Sequence, residues 1–286
     1  MSGAAKKWFI GCGIGCGLFI LIIGGIGTVS YIGIKNAVDH GEDIEAGFEE
    51  LRAEYGPPSD FVPQPDGAVP ADRMAVFLAA RDAMAEDRKV AGDILRTLDG
   101  QEVDGKSPGF LDKAKAGIQL IPSMMSFIDQ RNQALLTEGI GLGEYLYIYT
   151  MSYYVLLEKD MTDGPGFTVS GEDEQNNGPI RWETSEGSSG DTQADRERRI
   201  RRYLHRIHLA MARNQLEAIA TRGAPEGMKE QLEAEIALME DEPLRILWET
   251  GLPPALQASL AVYRDQLEAS YDAMVNVLES GLVEHD

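Results

Sequence analysis

Four histidines, at positions 40, 205, 208 and 285, set the limit on imidazole chemistry in this chain. His205 and His208 stand three apart, a helical spacing that can present two rings to one cation. Arg201, Arg202 and Arg206 surround them and oppose a positive ion, and neither cysteine lies beyond residue 16 to complete a site. They read as ordinary histidines on a helix surface. The same stretch, Arg196-Glu197-Arg198-Arg199-Ile200-Arg201-Arg202 with Arg206, forms a basic block in an acidic chain. Arg198, Arg199, Arg201, Arg202 and Arg206 can dock acidic headgroups or an acidic partner. They can equally pair internally, with the acidic stretch 230–242 or locally as Glu197 with Arg201. Glu172-Asp173-Glu174 lacks the spacing of a calcium loop and reads as solvated acid. Tyr145, Tyr147, Tyr149, Tyr153 and Tyr154 crowd one stretch. Tyr145, Tyr149 and Tyr153 can line a ligand groove, although aromatics at helical spacing more often fill a core. No serine-elbow, zinc-protease, phosphate-loop or dinucleotide motif is present. No catalytic residue, metal or cofactor is therefore expected, and a carboxylate pair among the 47 acids is the one enzymatic option left open.

The elements that would position these groups are helical. Residues 39–55 have Ile44, Phe48 and Leu51 on one side. Five prolines between Gly56 and Pro70 suggest an extended tether. From Pro70 to about Leu98, Met74, Phe77, Met84, Ala91, Ile94 and Leu98 form one stripe. Ser107-Pro108 starts another helix, in which Leu111, Ala114, Ile118, Ile121, Met125, Ile128 and Leu135 face inward and Pro122 imposes a kink. Residues 144–157 are read as a buried central helix rather than a strand. Residues 160–195 are a long acidic loop with little to bury. A basic helix follows, with Ile200, Tyr203, Leu204, Ile207, Met211 and Ile219 inward, then a helix over 226–242. A last helix opens at Pro253-Pro254, with Leu256, Leu260, Tyr263, Leu267, Tyr271, Met274 and Leu278 near heptad spacing. The expected fold is all-α: a membrane anchor over 1–36, an acidic helix and linker over 37–69, and a bundle of six or seven helices over 70–286.

Trp8 to Ile34 contains no charged residue, which is long enough to cross a bilayer. It exceeds a signal-peptide core and offers no Ala-x-Ala site near Ser30-Tyr31-Ile32, so an uncleaved anchor is expected. Lys6 and Lys7 precede it and all 47 acids follow it, which places the N-terminus in the cytoplasm and the large domain in the periplasm of a bacterium. Gly11 with Gly15 and Gly13 with Gly17 are G-x-x-x-G pairs, suited to close packing against a neighbouring helix. The formal net charge of −21 disfavours nucleic acid as a partner. Other transmembrane subunits and the lipid bilayer are the expected partners.

The opening Lys6-Lys7-Trp8-Phe9-Ile10-Gly11-Cys12-Gly13-Ile14-Gly15-Cys16-Gly17, followed by an exported domain, resembles single-pass accessory subunits of bacterial photosynthetic reaction-centre–antenna complexes. The likeness covers the architecture and about 35 residues and carries no functional motif, so no site residue transfers. It implies a scaffold bridging reaction centre and antenna rings, and the absence of histidine from the span accords with a subunit that holds no pigment. The expected function is a non-catalytic structural subunit of a larger membrane complex. The alternative is a tethered periplasmic ligand-binding or chaperone-like helical module.

Overall fold

The computed structural model describes residues 44–164, 167–168, 181–182 and 190–280. The apolar run 8–34 and its glycine pairs, and the acids at 172–174, lie outside them. Among the described residues no helix is long and apolar enough to cross a membrane. The described fold is all-helical apart from two two-residue strands, β1 (Phe167–Thr168) and β2 (Arg181–Trp182), which pair antiparallel.

Helix α1 spans 44–55 and lies beside α4 (Phe110–Glu138), running the same way. Gly47 abuts Asn132 near one end, and Tyr55 abuts Gly139 and Gly141 near the other. The proline-rich stretch after α1, expected as a slack tether, is folded onto the bundle. Pro63 removes the N–H that a helix would offer the Ser59 carbonyl, and side chains of α6 (Gly190–Arg222) reach over to this stretch. Asn214 donates to the Ser59 carbonyl at 2.9 Å and Gln215 to that of Gln64 at 2.6 Å. The Val69 N–H is taken by the Ser259 hydroxyl at 3.0 Å.

The stripe beginning at Pro70 forms two helices, α2 (Ala71–Ala83) and α3 (Ala85–Asp99), divided at Met84. At the division the Arg81 carbonyl accepts from the Arg88 guanidinium at 2.9 Å. Gly100, in the left-handed region at φ +82°, ends α3. A short turn bridged at Val103 and Lys106 leads into α4, and α3 and α4 pack as a hairpin. The Asp112 carboxylate accepts the Gly109 N–H at 2.9 Å and so fixes the start of α4. Helix α4 remains one helix across Pro122. The carbonyl that this proline leaves unbonded belongs to Ile118, which is solvent-exposed and open to water. The inward face of α4 also differs from expectation. Ala116, Leu120, Met124, Phe127 and Leu135 are buried, whereas Leu111, Ala114, Ile118 and Ile121 face solvent.

The tyrosine-rich stretch is helical, as its helical neighbours suggested. Helix α5 (Leu142–Tyr149) is buried on every side from Tyr145 to Tyr149 and continues into a π-helical segment, Thr150–Leu156. There the Leu157 N–H reaches back five residues to the Ser152 carbonyl at 3.0 Å. Helices α6 and α7 (Met228–Asp241) pack together. The single long helix expected after Pro253 is instead α8 (Pro254–Ala261), α9 (Arg264–Ser270), a 3-10 turn and α10 (Asn276–Glu279). The Ser270 carbonyl that would continue α9 accepts from Arg81 at 2.6 Å. The Asp272 carboxylate then caps the Met274 N–H at 3.0 Å.

Candidate functional site

Two places concentrate polar chemistry. The first is internal and surrounds the tyrosines of α5 and the π-helical segment. Arg81 is only 1 % exposed and Glu279 is fully enclosed. One Glu279 oxygen, Oε1, accepts from Arg81, from Arg88 at 3.1 Å and from the Tyr145 hydroxyl at 2.8 Å. Burial opposes the Arg81 charge, but the Glu279 carboxylate and then the surrounding tyrosines outweigh it and hold the guanidinium firmly protonated. The guanidinium also lies 4.8 Å from the Tyr153 ring centre and 5.4 Å from that of Tyr149. Tyr149 and Tyr154 both donate to the Asn276 side-chain oxygen, at 2.8 and 3.0 Å, and Asn276 donates onward to the Met161 carbonyl. Tyr153 pairs with the Ser270 hydroxyl at 2.9 Å. Burial, before any neighbouring charge, pushes the phenols of Tyr145, Tyr147, Tyr149, Tyr153 and Tyr154 above their usual range.

This arrangement is a cross-brace. It ties α2 and α3 to α10 through side chains nearly two hundred residues apart in sequence. In the π-helical segment adjacent Tyr153 and Tyr154 are both buried, as are Tyr145 to Tyr149 of α5 before them. Tyr145, Tyr149 and Tyr153 are all buried, against one another and against Phe77 and Tyr271. The structure brings these candidate groove residues together, but within the core.

The second place is the basic block, which α6 carries past the loop between α7 and α8. An open depression of about 490 Å³ lies there, lined among others by Glu197, Arg198, Arg201, Arg245 and Glu249. Arg201 donates to Glu197 at 2.8 Å and to Glu249 at 2.7 Å. Its partial desolvation works against the charge, and the two carboxylates overcome it and raise the pKa. Arg198 pairs with Asp195, and Arg206 stacks on Tyr203. Arg199 and Arg202 are exposed. Arg196, which sequence reasoning grouped with the basic block, is buried and grips the carbonyls of Gly164 at 2.8 Å and Asp163 at 3.1 Å. It thereby anchors the base of the acidic loop. Below the depression, buried Glu235 takes both prongs of Arg245, at 3.1 and 3.2 Å, and the Trp248 N–H at 2.9 Å.

His205 and His208 diverge in environment. His205 faces the Arg245 carbonyl through Nδ1 at 2.9 Å. His208, expected on the surface, is fully buried, and its Nδ1 accepts the Leu247 N–H at 3.4 Å. Burial, and then the proximity of His205, lowers its pKa to about 3. Among the described residues no group of three or more His, Cys, Asp or Glu is placed to hold a metal ion. The buried acids Glu235 and Glu279 are each engaged by their own arginines.

Sequence reasoning missed Arg81, Arg88, Asn276 and Glu279. A signal for the arginines was present: Met74, Phe77, Arg81, Met84, Arg88, Ala91 and Leu95 follow each other at alternating steps of three and four. A charge repeated in an apolar stripe marks a buried pair awaiting a counter-ion. No family model, curated protein or solved structure matches this chain.

Proposed function

We propose that this chain is a non-catalytic, membrane-anchored accessory subunit of a larger bacterial membrane complex. The observation that carries the reading is a division of labour along the sequence. A 27-residue uncharged, glycine-rich run precedes a helical domain whose buried charges serve to join its own helices. The anchor would pack through Gly11, Gly15, Gly13 and Gly17 against neighbouring spans, with the domain on the periplasmic face. A photosynthetic reaction-centre–antenna complex is the specific host implied by the resemblance of the N-terminal segment. The test is sedimentation of native membranes solubilised in mild detergent, following this chain and the absorbance of its fraction. Migration with a large complex is expected, with pigment bands if the host is photosynthetic. Migration as a lone particle near monomer size would overturn the reading. The tethered ligand-binding module is favoured instead by one feature, the open depression beside Arg198 and Arg201.

A further inference from the structure

The outward face of α4 is unusual for so acidic a chain. Phe110 is 85 % exposed and Leu111 79 %, and Ile118 and Ile121 continue the same stripe. From Gly105 to Ile128 the charges are Lys106, Asp112, Lys113 and Lys115, a local excess of positive charge in a chain of net −21. All three lysines are exposed, and Asp112 is occupied in capping its own helix. The acids of the preceding turn keep their charge nearby: Asp99 and Glu102 accept from the neutral donors Gln101 and Ser107, and Asp104 lies in the field of Lys89. The lysines therefore attract headgroups from the two flanks of the apolar stripe rather than from a uniformly basic end. An apolar stripe with lysines beside it is the composition of a helix that lies in a bilayer interface, aromatic and aliphatic groups down and amines among the headgroups.

The path of the chain supports the same orientation. Because α1 runs parallel to α4 with Gly47 beside Asn132, the chain reaches Ile44 from the side of the Phe110 end of α4. At 1.5 Å per residue, Phe110 lies about 28 Å beyond the level of Ile44. Residues 35–43, between the apolar run and α1, span at most about 33 Å when extended. With 39–43 helical, as the sequence reads, the leash shortens to about 25 Å, and a domain leashed at Ile34 meets the bilayer surface with the Phe110 end of α4 when that helix is tilted. The exposed arginines of α6 form another basic area among the described residues, but no stripe of exposed large apolar groups lies beside them, which favours the α4 face for seating in the interface.

We propose that the first three turns of α4, with Lys106, Lys113 and Lys115, seat on an anionic lipid surface. The proposal rests on the membrane-anchored reading above. The test uses the full chain carrying Cys12→Ser, Cys16→Ser and Ile118→Cys, labelled at position 118 with an environment-sensitive fluorophore. It is reconstituted into vesicles of phosphatidylcholine with about one-third phosphatidylglycerol. A parallel protein carries the label through Val262→Cys, a site 77 % exposed on α8's C-cap. Expected is a blue shift at 118 with at least twofold quenching by nitroxide lipids, absent at 262. The quenching should be lost on combining Lys106→Glu, Lys113→Glu and Lys115→Glu, or on replacing phosphatidylglycerol with phosphatidylcholine. A chain that floats with vesicles but shows no lipid quenching at 118 overturns this proposal and leaves the anchor reading intact. A blue shift without lipid quenching overturns it too: dependence on protein density assigns the face to a second copy, and independence to another segment of the chain. Failure to float overturns the anchor reading itself.

Discussion

His208 gives the sharpest test of the core. In the unfolded chain an imidazole titrates near 6.5, whereas burial holds His208 neutral down to about pH 3. The unfolded state therefore binds the proton first, and stability falls as pH drops through the window from about 6.5 to about 3. At pH 7 the group contributes almost no pH dependence. At pH 5 the unfolded state gains about 1.5 pH units of protonation free energy, or about 2 kcal/mol at 1.36 kcal/mol per unit. For a domain of this size that corresponds to a Tm lower by about 4–8 °C. Urea unfolding of the full chain in detergent at pH 7 and pH 5, followed by far-ultraviolet circular dichroism, measures the difference. His208→Leu supplies the control, because it leaves the Leu247 N–H unpaired at a cost that does not vary with pH. The wild-type loss between pH 7 and pH 5 should exceed that of His208→Leu by about 2 kcal/mol. Equal losses in the two proteins would refute the claim that this imidazole is buried and neutral.

The cross-brace makes Glu279→Gln costly, by about 3–5 kcal/mol in denaturant unfolding, because two enclosed guanidinium groups lose their carboxylate. Replacing Arg81, Arg88 and Glu279 together with apolar residues of similar volume should recover much of that loss. Gly143→Ala should destabilise by about 1–3 kcal/mol in the same assay, since a new Cβ would lie 2.5 Å from the Pro58 carbonyl oxygen and 3.0 Å from its Cα, backbone that cannot swing aside. Gly117→Ala, in the exposed half of α4 with only Leu98 within 4.0 Å, should stabilise by about 0.5–1 kcal/mol. In an alkaline titration followed at 295 nm, the phenols of Tyr145, Tyr147, Tyr149, Tyr153 and Tyr154 should ionise only as the protein unfolds. Ionisation of these five near pH 10 in the folded state would contradict their burial.

Periodicity located the helices well where one apolar face met one core. Helix α6 buries Ile200, Leu204, Ile207, Met211 and Ile219 at the spacing read from the sequence. It failed where a helix carries two apolar faces. On α4, Leu111, Ile118 and Ile121 looked like core because the pattern records hydrophobicity and not which side has a neighbour. The breaks at Met84 and Ser270 were illegible because arginine side chains take carbonyls there: Arg88, two turns on, takes that of Arg81, and Arg81, distant in sequence, takes that of Ser270. The linker misled for a related reason: proline composition describes stiffness, whereas its docking depends on Asn214 and Gln215 of α6. At the basic block, the expected local pair of Glu197 and Arg201 is present, but its second acid, Glu249, comes from the loop before α8 rather than from 230–242.

The distance in sequence between Arg81 and Glu279 has a consequence for synthesis. The two arginines of α2 and α3 are made, and in the proposed topology cross the membrane, long before the carboxylate that neutralises them, and most of the described helices come in between. During that interval, burying either guanidinium would leave a charge without its Glu279 partner, so the early helices have reason to stay loosely associated. Arrival of α10 supplies the counter-ion and lets the tyrosine lattice close. A chain truncated before Glu279 contains nearly all the described helices yet lacks the group that neutralises their shared core, and limited proteolysis should digest it faster than the full chain.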